Sequence, residues 1–149
     1  GLSTLETQVR TLLRRERVPD ECVLLSTIDA RIGQVYAAFF HCRAGTVQAL
    51  GPAVVTAPER LQRPAGGGEL GDLPCLALGS GCRLRDELPA ALAVADAGWA
   101  DILPEAEDML DSAARRLTAG EVGDAADALP DYVQHHSGWK TLAEQGRRA

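Results

Sequence analysis

The chain has 149 residues, of which 46% are hydrophobic and 24% charged; this suits one globular domain and excludes disorder as the dominant state. Its formal net charge of −6 argues against a nucleic-acid-binding surface, because such a surface needs a basic stripe. No apolar run approaches the roughly 18 residues of a membrane span, and no signal peptide is visible, so the cytoplasm is the default expectation.

The first predicted element is a helix that starts at a Ser-x-x-Glu capping box, formed by Ser3 and Glu6. Apolar residues then recur at helical spacing. Arg14 and Arg15 suit the negative end of the helix dipole, and Pro19 closes the segment.

Three strands are predicted next, over residues 22–28, 34–42 and 46–50, and residues 53–55 continue the last one. The first run is almost continuously hydrophobic, which is typical of a strand covered on both faces. Because the connecting turns are short, the strands are expected to form an antiparallel meander.

The middle of the chain alternates loops with short elements. Thr56 is predicted to cap a short helix that has Pro58 in its first turn. The remaining predictions here are a loop over 64–71, a buried strand over 74–78, a helix over 83–93 and a short strand within 95–102.

The clearest helix is predicted over 104–119, with Pro104 at its first position and Gly120 as a left-handed cap. Its acidic start and basic end match the helix dipole. Its buried stripe is expected to consist of Ala106, Met109, Leu110, Ala113 and Leu117.

These elements predict a single α/β domain over residues 1–149. Its mixed sheet contains an antiparallel meander of three strands, and helices flank the sheet. Residues 124–149 form a tail with a polar end.

The four cysteines, Cys22, Cys42, Cys75 and Cys82, contain no Cys-x-x-Cys pair, which disfavours a zinc site. They lie mostly in apolar stretches and are therefore expected to be buried and reduced.

Gly79-Ser80-Gly81 lies between a predicted strand and a predicted helix. Its amides could approach a phosphate, but the full dinucleotide fingerprint and a Walker lysine are missing. A tight strand-to-helix turn is the alternative interpretation.

Glu105, Glu107, Asp108 and Asp111 form an acidic cluster at the start of the late helix. Carboxylates one turn apart, such as Glu107 and Asp111, could hold magnesium. The helix dipole already favours acids here, so a solvated acidic face is the other interpretation.

The histidines complete no metal motif, because the adjacent His135 and His136 point in different directions and His41 has no visible partner. Asp29 and Arg31 flank a turn between strands. They could form a charge-assisted hydrogen bond that fixes the hairpin, or belong to a partner surface. No catalytic constellation stands out, which favours a non-catalytic domain.

Several segments, in order along the chain, resemble the bacterial TsaB (YeaZ) family. They are Leu-Ser-Thr-Leu at 2–5, Ile-Asp-Ala-Arg-Ile-Gly-Gln-Val-Tyr at 28–36, Leu-Pro-Glu-Ala-Glu-Asp-Met-Leu at 103–110, and Pro-x-Tyr-Val at 130–133 followed by Trp139-Lys140. The family usually has Glu in place of Gln34 and Arg in place of Gln134. Its earlier half, with an Asp-Thr strand motif and a Gly-Pro-Gly-Ser-Phe-Thr-Gly loop, has no counterpart here.

The resemblance implies the C-terminal lobe of a two-lobed protein, with residues 1–18 as the inter-lobe helix and a ribonuclease-H-like fold of the actin-like ATPase superfamily. It implies a non-catalytic scaffold that supports N6-threonylcarbamoyladenosine formation at tRNA position 37, together with a TsaD-like catalytic subunit and a TsaE-like ATPase. The lobe that usually binds TsaD is missing from this chain.

The resemblance implies neither a cofactor nor a metal, and no direct nucleic-acid or membrane contact; a homo-oligomer is possible. An M22-like hydrolase or a nucleotide-dependent transferase is the alternative function. The motif residues that match the family, and that are expected to be structural, are Asp29, Arg31, Tyr36, Pro104, Glu107, Asp108, Pro130, Tyr132 and Trp139.

Overall fold

A five-stranded mixed sheet forms the centre of the computed structural model, which describes residues 2–64, 69–90, 92, 97–127 and 133. The strand order is β3-β2-β1-β5, and β4 also pairs with β2. The strands are β1 (Glu21–Arg31), β2 (Gln34–Arg43), β3 (Thr46–Ala49), β4 (Val54–Thr56) and β5 (Cys75–Leu78).

The pairing confirms the predicted meander and the mixed sheet. β1 runs antiparallel to β2 and parallel to β5, and β2 runs antiparallel to both β3 and β4. β3 pairs with the end of β2 and β4 with its beginning, so residues 53–55 do not simply continue β3. Gly51 and Pro52 interrupt this edge of the sheet.

Apolar side chains cover β1 on both faces, as the continuous run predicts, and residues 22–27 are all buried. On one face Leu24 packs in a cluster with Leu5, Val9 and Leu12 of the first helix. On the other face Leu25 belongs to a second cluster that includes Leu61, Cys82 and Leu88. Two cores therefore hold the sheet between them.

The first helix, α1 (Thr4–Arg15), begins where the capping box predicts. The Ser3 hydroxyl accepts a hydrogen bond from the Glu6 amide at 3.3 Å. The Glu6 carboxylate instead accepts from Arg10 Nε at 3.0 Å. Glu6 thus serves side-chain contacts along the helix rather than the reciprocal bond of a capping box.

The β1–β2 hairpin closes through Ile32 and Gly33, with φ values of 49° and 70°. Two positive φ values fit a type I′ turn, which matches the twist of paired strands. A β-branched residue in the left-handed region costs roughly 1–2 kcal/mol. Because the Ile32 side chain is 76% exposed, it buries little apolar surface that could offset this cost.

Four predictions in the middle of the chain are wrong. Thr56 lies in β4, and the 3₁₀ helix Pro58–Arg60 has Ala57 at its N-cap without a side-chain cap. The predicted loop contains α2 (Glu69–Asp72). The predicted helix over 83–93 is replaced by a 3₁₀ helix, Ser80–Glu87, and the predicted strand within 95–102 by a 3₁₀ helix, Ala97–Asp101.

The burial of Trp99 and Ile102 explains the last of these differences. Both residues join the cluster against α1. Two apolar residues three positions apart are buried on one side of a tight helical turn, whereas a strand would point them to opposite faces. Tertiary packing thus overrides the strand-forming character of this segment.

The late helix is shorter than predicted. A 3₁₀ helix, Ala106–Met109, leads into α3 (Leu110–Thr118), so Pro104 lies outside the helix. Gly120 is the predicted left-handed cap, with φ 71°. Its amide donates to the carbonyl of Leu117 at 3.1 Å, and the Glu121 amide donates to that of Arg116 at 2.9 Å, which forms a Schellman motif.

The predicted buried stripe of this helix is wrong. Ser112 is buried, whereas Leu110 and Leu117 are 66% and 67% exposed. The physical reason is a polar contact, because the Ser112 hydroxyl donates to Glu6 Oε1 of α1 at 3.0 Å. The helix therefore faces the domain with its polar side.

The predictions for Pro130, Tyr132, His135, His136 and Trp139 concern positions outside the described residues. Within the part of the chain that the structure describes, no helix is both long enough and apolar enough to cross a membrane.

Candidate functional site

Polar side chains gather at the carboxyl end of β5, where its parallel pairing with β1 stops at Ser26 and Leu78. The carboxyl end of parallel strands is the usual place for a ligand site. We call Gln8, Ser26, Thr27, Gly79 and Ser80 the polar seam. Ser26 Oγ donates to Gln8 Oε1 at 2.6 Å. Thr27 Oγ1 donates to the carbonyl of Leu78 at 2.7 Å. The seam thus ties α1 to the middle of β1 and to the end of β5.

Gln8 is the centre of the seam and is only 1% exposed. Its Nε2 donates to the carbonyl of Ile102 at 2.7 Å. Every buried side-chain nitrogen and oxygen among the described residues has a hydrogen-bond partner. These polar groups therefore form hydrogen bonds within the domain and are not directed at an empty site.

The Gly79-Ser80-Gly81 segment is a tight turn, and the phosphate-loop interpretation is not supported. The Gly79 amide donates to the carbonyl of Trp99 at 2.8 Å. The Ser80 hydroxyl accepts from the Asp29 amide at 3.0 Å. The backbone at position 79 has a positive φ of 89°, which glycine adopts without steric cost. Backbone geometry therefore explains why a glycine stands at this position.

Asp29 does fix the hairpin, but not through an ion pair. Its Oδ1 accepts a hydrogen bond from the backbone amide of Arg31 at 2.8 Å. The strand register shifts between these two residues. Tyr36 lies opposite Ile28 in the same hairpin. These family-like residues therefore occupy one structural unit.

The acidic cluster joins the end of α1. The carboxylates of Glu105, Glu107 and Asp108 have oxygens within 4.8 Å of one another, and Asp111 is not among them. Arg14 Nε contacts Asp108 Oδ1 at 2.9 Å, and Arg14 Nη2 contacts Glu107 Oε1 at 2.7 Å. We call this cluster the acidic joint; Glu105 pairs with both Arg14 and Arg15.

Neither of the two interpretations from the sequence, a magnesium site or a solvated acidic face, describes the role of these carboxylates. Asp111 does not join the three clustered carboxylates, and the guanidinium groups of Arg14 and Arg15 offset two of their three negative charges. The cluster also does more than face solvent, because it links α1 to the segment before α3. A metal ion would have to displace these arginines.

The electrostatics of the acidic joint follow from its hydrogen bonds. The Arg14 guanidinium lowers the pKa of Asp108, and the Thr11 hydroxyl, which donates to Asp108 Oδ2 at 2.7 Å, lowers it further against the opposing effect of burial. The same contacts raise the pKa of Arg14. Both groups therefore stay charged at neutral pH.

Asp108→Asn is expected to lower the free energy of unfolding at pH 7 by about 1.5–3 kcal/mol, because it removes a charge-assisted contact at a side chain that is 8% exposed. A carboxylate whose folded pKa is depressed stabilises the fold above its unfolded pKa of about 4 and loses that effect below it. Urea titrations should therefore show the variant and wild type converging as the pH falls below about 4.

Asp101→Asn is the matched control, since Asp101 also pairs with an arginine, Arg83 at 2.5 Å, but is 70% exposed. It should change stability by less than about 0.5 kcal/mol. Equal effects of the two substitutions would contradict the importance of the acidic joint.

All four cysteines are buried and free, which confirms the prediction of buried, reduced thiols. Cys22 and Cys42 lie opposite each other in the β1–β2 ladder. The hydrogen bond with Cys22, together with burial, raises the pKa of the Cys42 thiol, and burial raises that of Cys82. The Cys42 and Cys82 thiols are accordingly poor nucleophiles.

His41 corrects a further expectation, because it does have a partner. Its Nε2 lies 2.8 Å from Glu21 Oε1 of the neighbouring strand. This is a cross-strand pair on β1 and β2.

The predicted residues thus fall into two groups. Asp29, Arg31 and Tyr36 belong to the hairpin, whereas Glu107 and Asp108 belong to the acidic joint next to Pro104. Sequence reasoning singled out Gly79 and Ser80 but missed Gln8, the centre of the polar seam. One signal was available, since Gln8 interrupts the apolar face of α1 that Leu5, Val9 and Leu12 form, and it is as buried as they are.

No protein-family model and no curated protein matches the chain. Solved structures do. An uncharacterized protein with similarity to peptidase YeaZ from Pseudomonas aeruginosa matches with a TM-score of 0.73 and 26% identity, over 89% of this chain and 57% of that protein. YeaZ from Pseudomonas aeruginosa matches with a TM-score of 0.71 and 27% identity, over 88% of this chain and 57% of that protein.

The predicted resemblance to YeaZ (TsaB) is confirmed. The chain spans little more than half the length of each of these proteins. Over this length its mixed α/β fold is similar to that of YeaZ.

Proposed function

We propose that the chain is the C-terminal lobe of a TsaB-like scaffold protein and has no catalytic activity of its own. In this proposal it supports N6-threonylcarbamoyladenosine formation on tRNA by a TsaD-like catalytic subunit with a TsaE-like ATPase. The observation that carries the proposal is the match to YeaZ over 88% of the chain. A cytoplasmic location stays a prediction.

The strand arrangement supports the finer fold assignment within this proposal, a ribonuclease-H-like lobe of the actin-like superfamily. A three-stranded antiparallel meander is followed by a crossover to β5, which lies parallel to the first strand of the meander. The helix α1 covers one face of this sheet. These features are compatible with such a lobe.

The use of the polar groups supports a scaffold role over an enzymatic one. The Gly79 amide, the Gln8 amide group and the carboxylates of the acidic joint are all engaged in contacts within the domain. A hydrolase or a nucleotide-dependent transferase would need such groups to face a substrate. The alternative function, an M22-like hydrolase or a nucleotide-dependent transferase, rests on the Gly79-Ser80-Gly81 turn and on the acidic cluster.

The test is a reconstituted tRNA-modification assay with the complete gene product that contains this chain. With a TsaD-like subunit, a TsaE-like ATPase, ATP, threonylcarbamoyl-adenylate and tRNA, the protein should increase the modified adenosine measured by mass spectrometry. The control omits the TsaD-like subunit and should yield no product. Modification of tRNA, or cleavage of a peptide, by the protein alone would contradict the proposal.

A further inference from the structure

A groove opens beside the interrupted edge of the sheet. It has a volume of about 490 Å³ and is lined by residues of β2, of the segment 50–56 and of the segment 60–64. We call it the edge groove. Its volume lies within the roughly 300–1,000 Å³ of ordinary small-molecule sites. None of its residues belongs to the polar seam or to the acidic joint.

The break between β3 and β4 produces the edge groove. On β2, the pairing with β3 stops at Phe40, and the pairing with β4 stops at Ala37. The chain leaves this ladder after the Leu50 amide has donated to the carbonyl of Phe39 at 2.9 Å. Gly51 has no side chain to fill the space, and the following proline has no amide hydrogen with which to continue the pairing.

The strand register shows which side chains face the edge groove. Directly opposite residues of antiparallel strands lie on the same face of the sheet. Val54 lies opposite Ala37, and Thr56 lies opposite Val35. Ala37 and Val35 belong to the second core cluster, together with Leu61. Val54 therefore continues the apolar surface of this core, although it is 41% exposed.

The polar side chains of the edge groove are those of Thr56, Arg60 and Gln62. Among the described residues, none of these three side chains has a hydrogen-bond or ion-pair partner. No described residue that lines the groove carries a carboxylate, so nothing within it competes for the charge of Arg60. The groove differs in this respect from the polar seam, whose buried polar groups all have partners.

We infer that the edge groove binds a small amphipathic carboxylate, with the carboxylate on Arg60 and the hydrocarbon or aromatic body against Phe39 and Val54. A planar guanidinium offers paired N–H donors to the two oxygens of a carboxylate. The Thr56 hydroxyl and the Gln62 amide group can donate further hydrogen bonds. Because the net charge of −6 repels anions in general, binding depends on this local arginine. The inference does not rest on the scaffold function.

NMR titration of the isotope-labelled full chain with naphthoate tests the inference, because naphthoate joins an aromatic body to one carboxylate. Saturable shifts are expected at the amides of Gly51, Val54 and Val55. The amides of α3 should not shift, although two of its leucines are exposed. Naphthamide has the same body without the charge. It should bind about 10-fold more weakly, since one charge-assisted hydrogen bond accounts for a factor of that size.

Arg60→Gln tests the role of the guanidinium. It should weaken naphthoate binding about 10-fold and leave naphthamide binding unchanged. Arg17→Gln is the matched control, because Arg17 is also exposed, lies outside the groove and contributes the same charge. It should leave both affinities unchanged. Urea unfolding verifies that each variant is folded.

Val54→Asp tests the position of the ligand, because it places a carboxylate beside the bound anion and should abolish naphthoate binding. Val122→Asp is its control, since Val122 is 61% exposed and lies outside the groove. The inference is overturned if no saturable shifts occur in the edge groove, or if naphthamide binds as tightly as naphthoate. A peptide ending in a phenylalanine carboxylate that binds more tightly than naphthoate would overturn the assignment to a small molecule.

Discussion

Gly79→Ala is expected to destabilise the domain by roughly 2–5 kcal/mol, because it combines overpacking with a left-handed backbone conformation. A Cβ atom at this position would clash with the carbonyl oxygen of Thr27 and lie 2.7 Å from Gln8 Oε1. Contacts under 3.0 Å require something to shift. The carbonyl of Thr27 cannot shift without disturbing β1 in the middle of its pairing with β2. A loss of this size is a large share of the 5–15 kcal/mol that holds a typical domain folded.

Gly45→Ala separates the two causes and is measured beside it by urea unfolding. Gly45 has a φ of 78°, close to the 89° of Gly79, but a Cβ there meets nothing within 4 Å. Its substitution should cost only about 1 kcal/mol, the price of the positive φ. Equal losses at the two glycines would show that the crowding around Gly79 is absent.

This crowding also affects how the turn can be tested for function. A nucleotide-binding experiment that relies on a bulky substitution at Gly79 would report unfolding in place of lost binding, because the side chain would meet Thr27 and Gln8 first. Titration of the unaltered protein with ATP and magnesium is the sounder test. The occupied Gly79 amide predicts no saturable binding at this turn.

Elements with strong local signals were predictable from the sequence. The capping serine and apolar spacing of α1, the short turns of the meander and the Gly120 cap all act within a few residues, and each was confirmed. The segment before Ile102 was not predictable, because the Gln8 side chain that bonds to it lies 94 residues away in sequence.

The orientation of α3 failed for the same reason. Hydrophobic periodicity identifies the apolar side of a helix but not the direction in which that side faces. The direction is set here by the bond from Ser112 to Glu6, which spans 106 residues of sequence. A single amphipathic pattern cannot distinguish a helix whose apolar side faces its own core from one whose apolar side faces solvent.

In the candidate site, too, some residues could be predicted from the sequence and others could not. Sequence motifs identified Asp29, Glu107 and Asp108, but their partners Ser80, Arg14 and Thr11 were not foreseen. The roles of the carboxylates depend on those partners, because an acid paired with Arg14 links two elements, whereas an unpaired one could bind a cation. The roles of these carboxylates therefore could not be predicted before the structure showed which distant residues lie next to them.

Gln8→Leu is expected to cost roughly 2–4 kcal/mol, because it leaves both the Ser26 hydroxyl and the carbonyl of Ile102 buried without their partner. Ser26→Ala alone should cost about 1–3 kcal/mol, since it strands Gln8 Oε1 in a site with no access to water. In the Gln8→Leu background the same change removes an already unpaired hydroxyl. It should then be nearly neutral.

A double-mutant cycle by urea unfolding measures this coupling, which should be about 1 kcal/mol or more. Gln48→Leu is the control, because Gln48 is exposed on β3 and its loss should change stability by less than about 0.5 kcal/mol. Strictly additive effects of the Gln8 and Ser26 substitutions would mean that the 2.6 Å contact between them contributes nothing. The polar seam would then contribute nothing to the position of α1 against β1 and the end of β5, and that position would have to come from the apolar face of α1 alone.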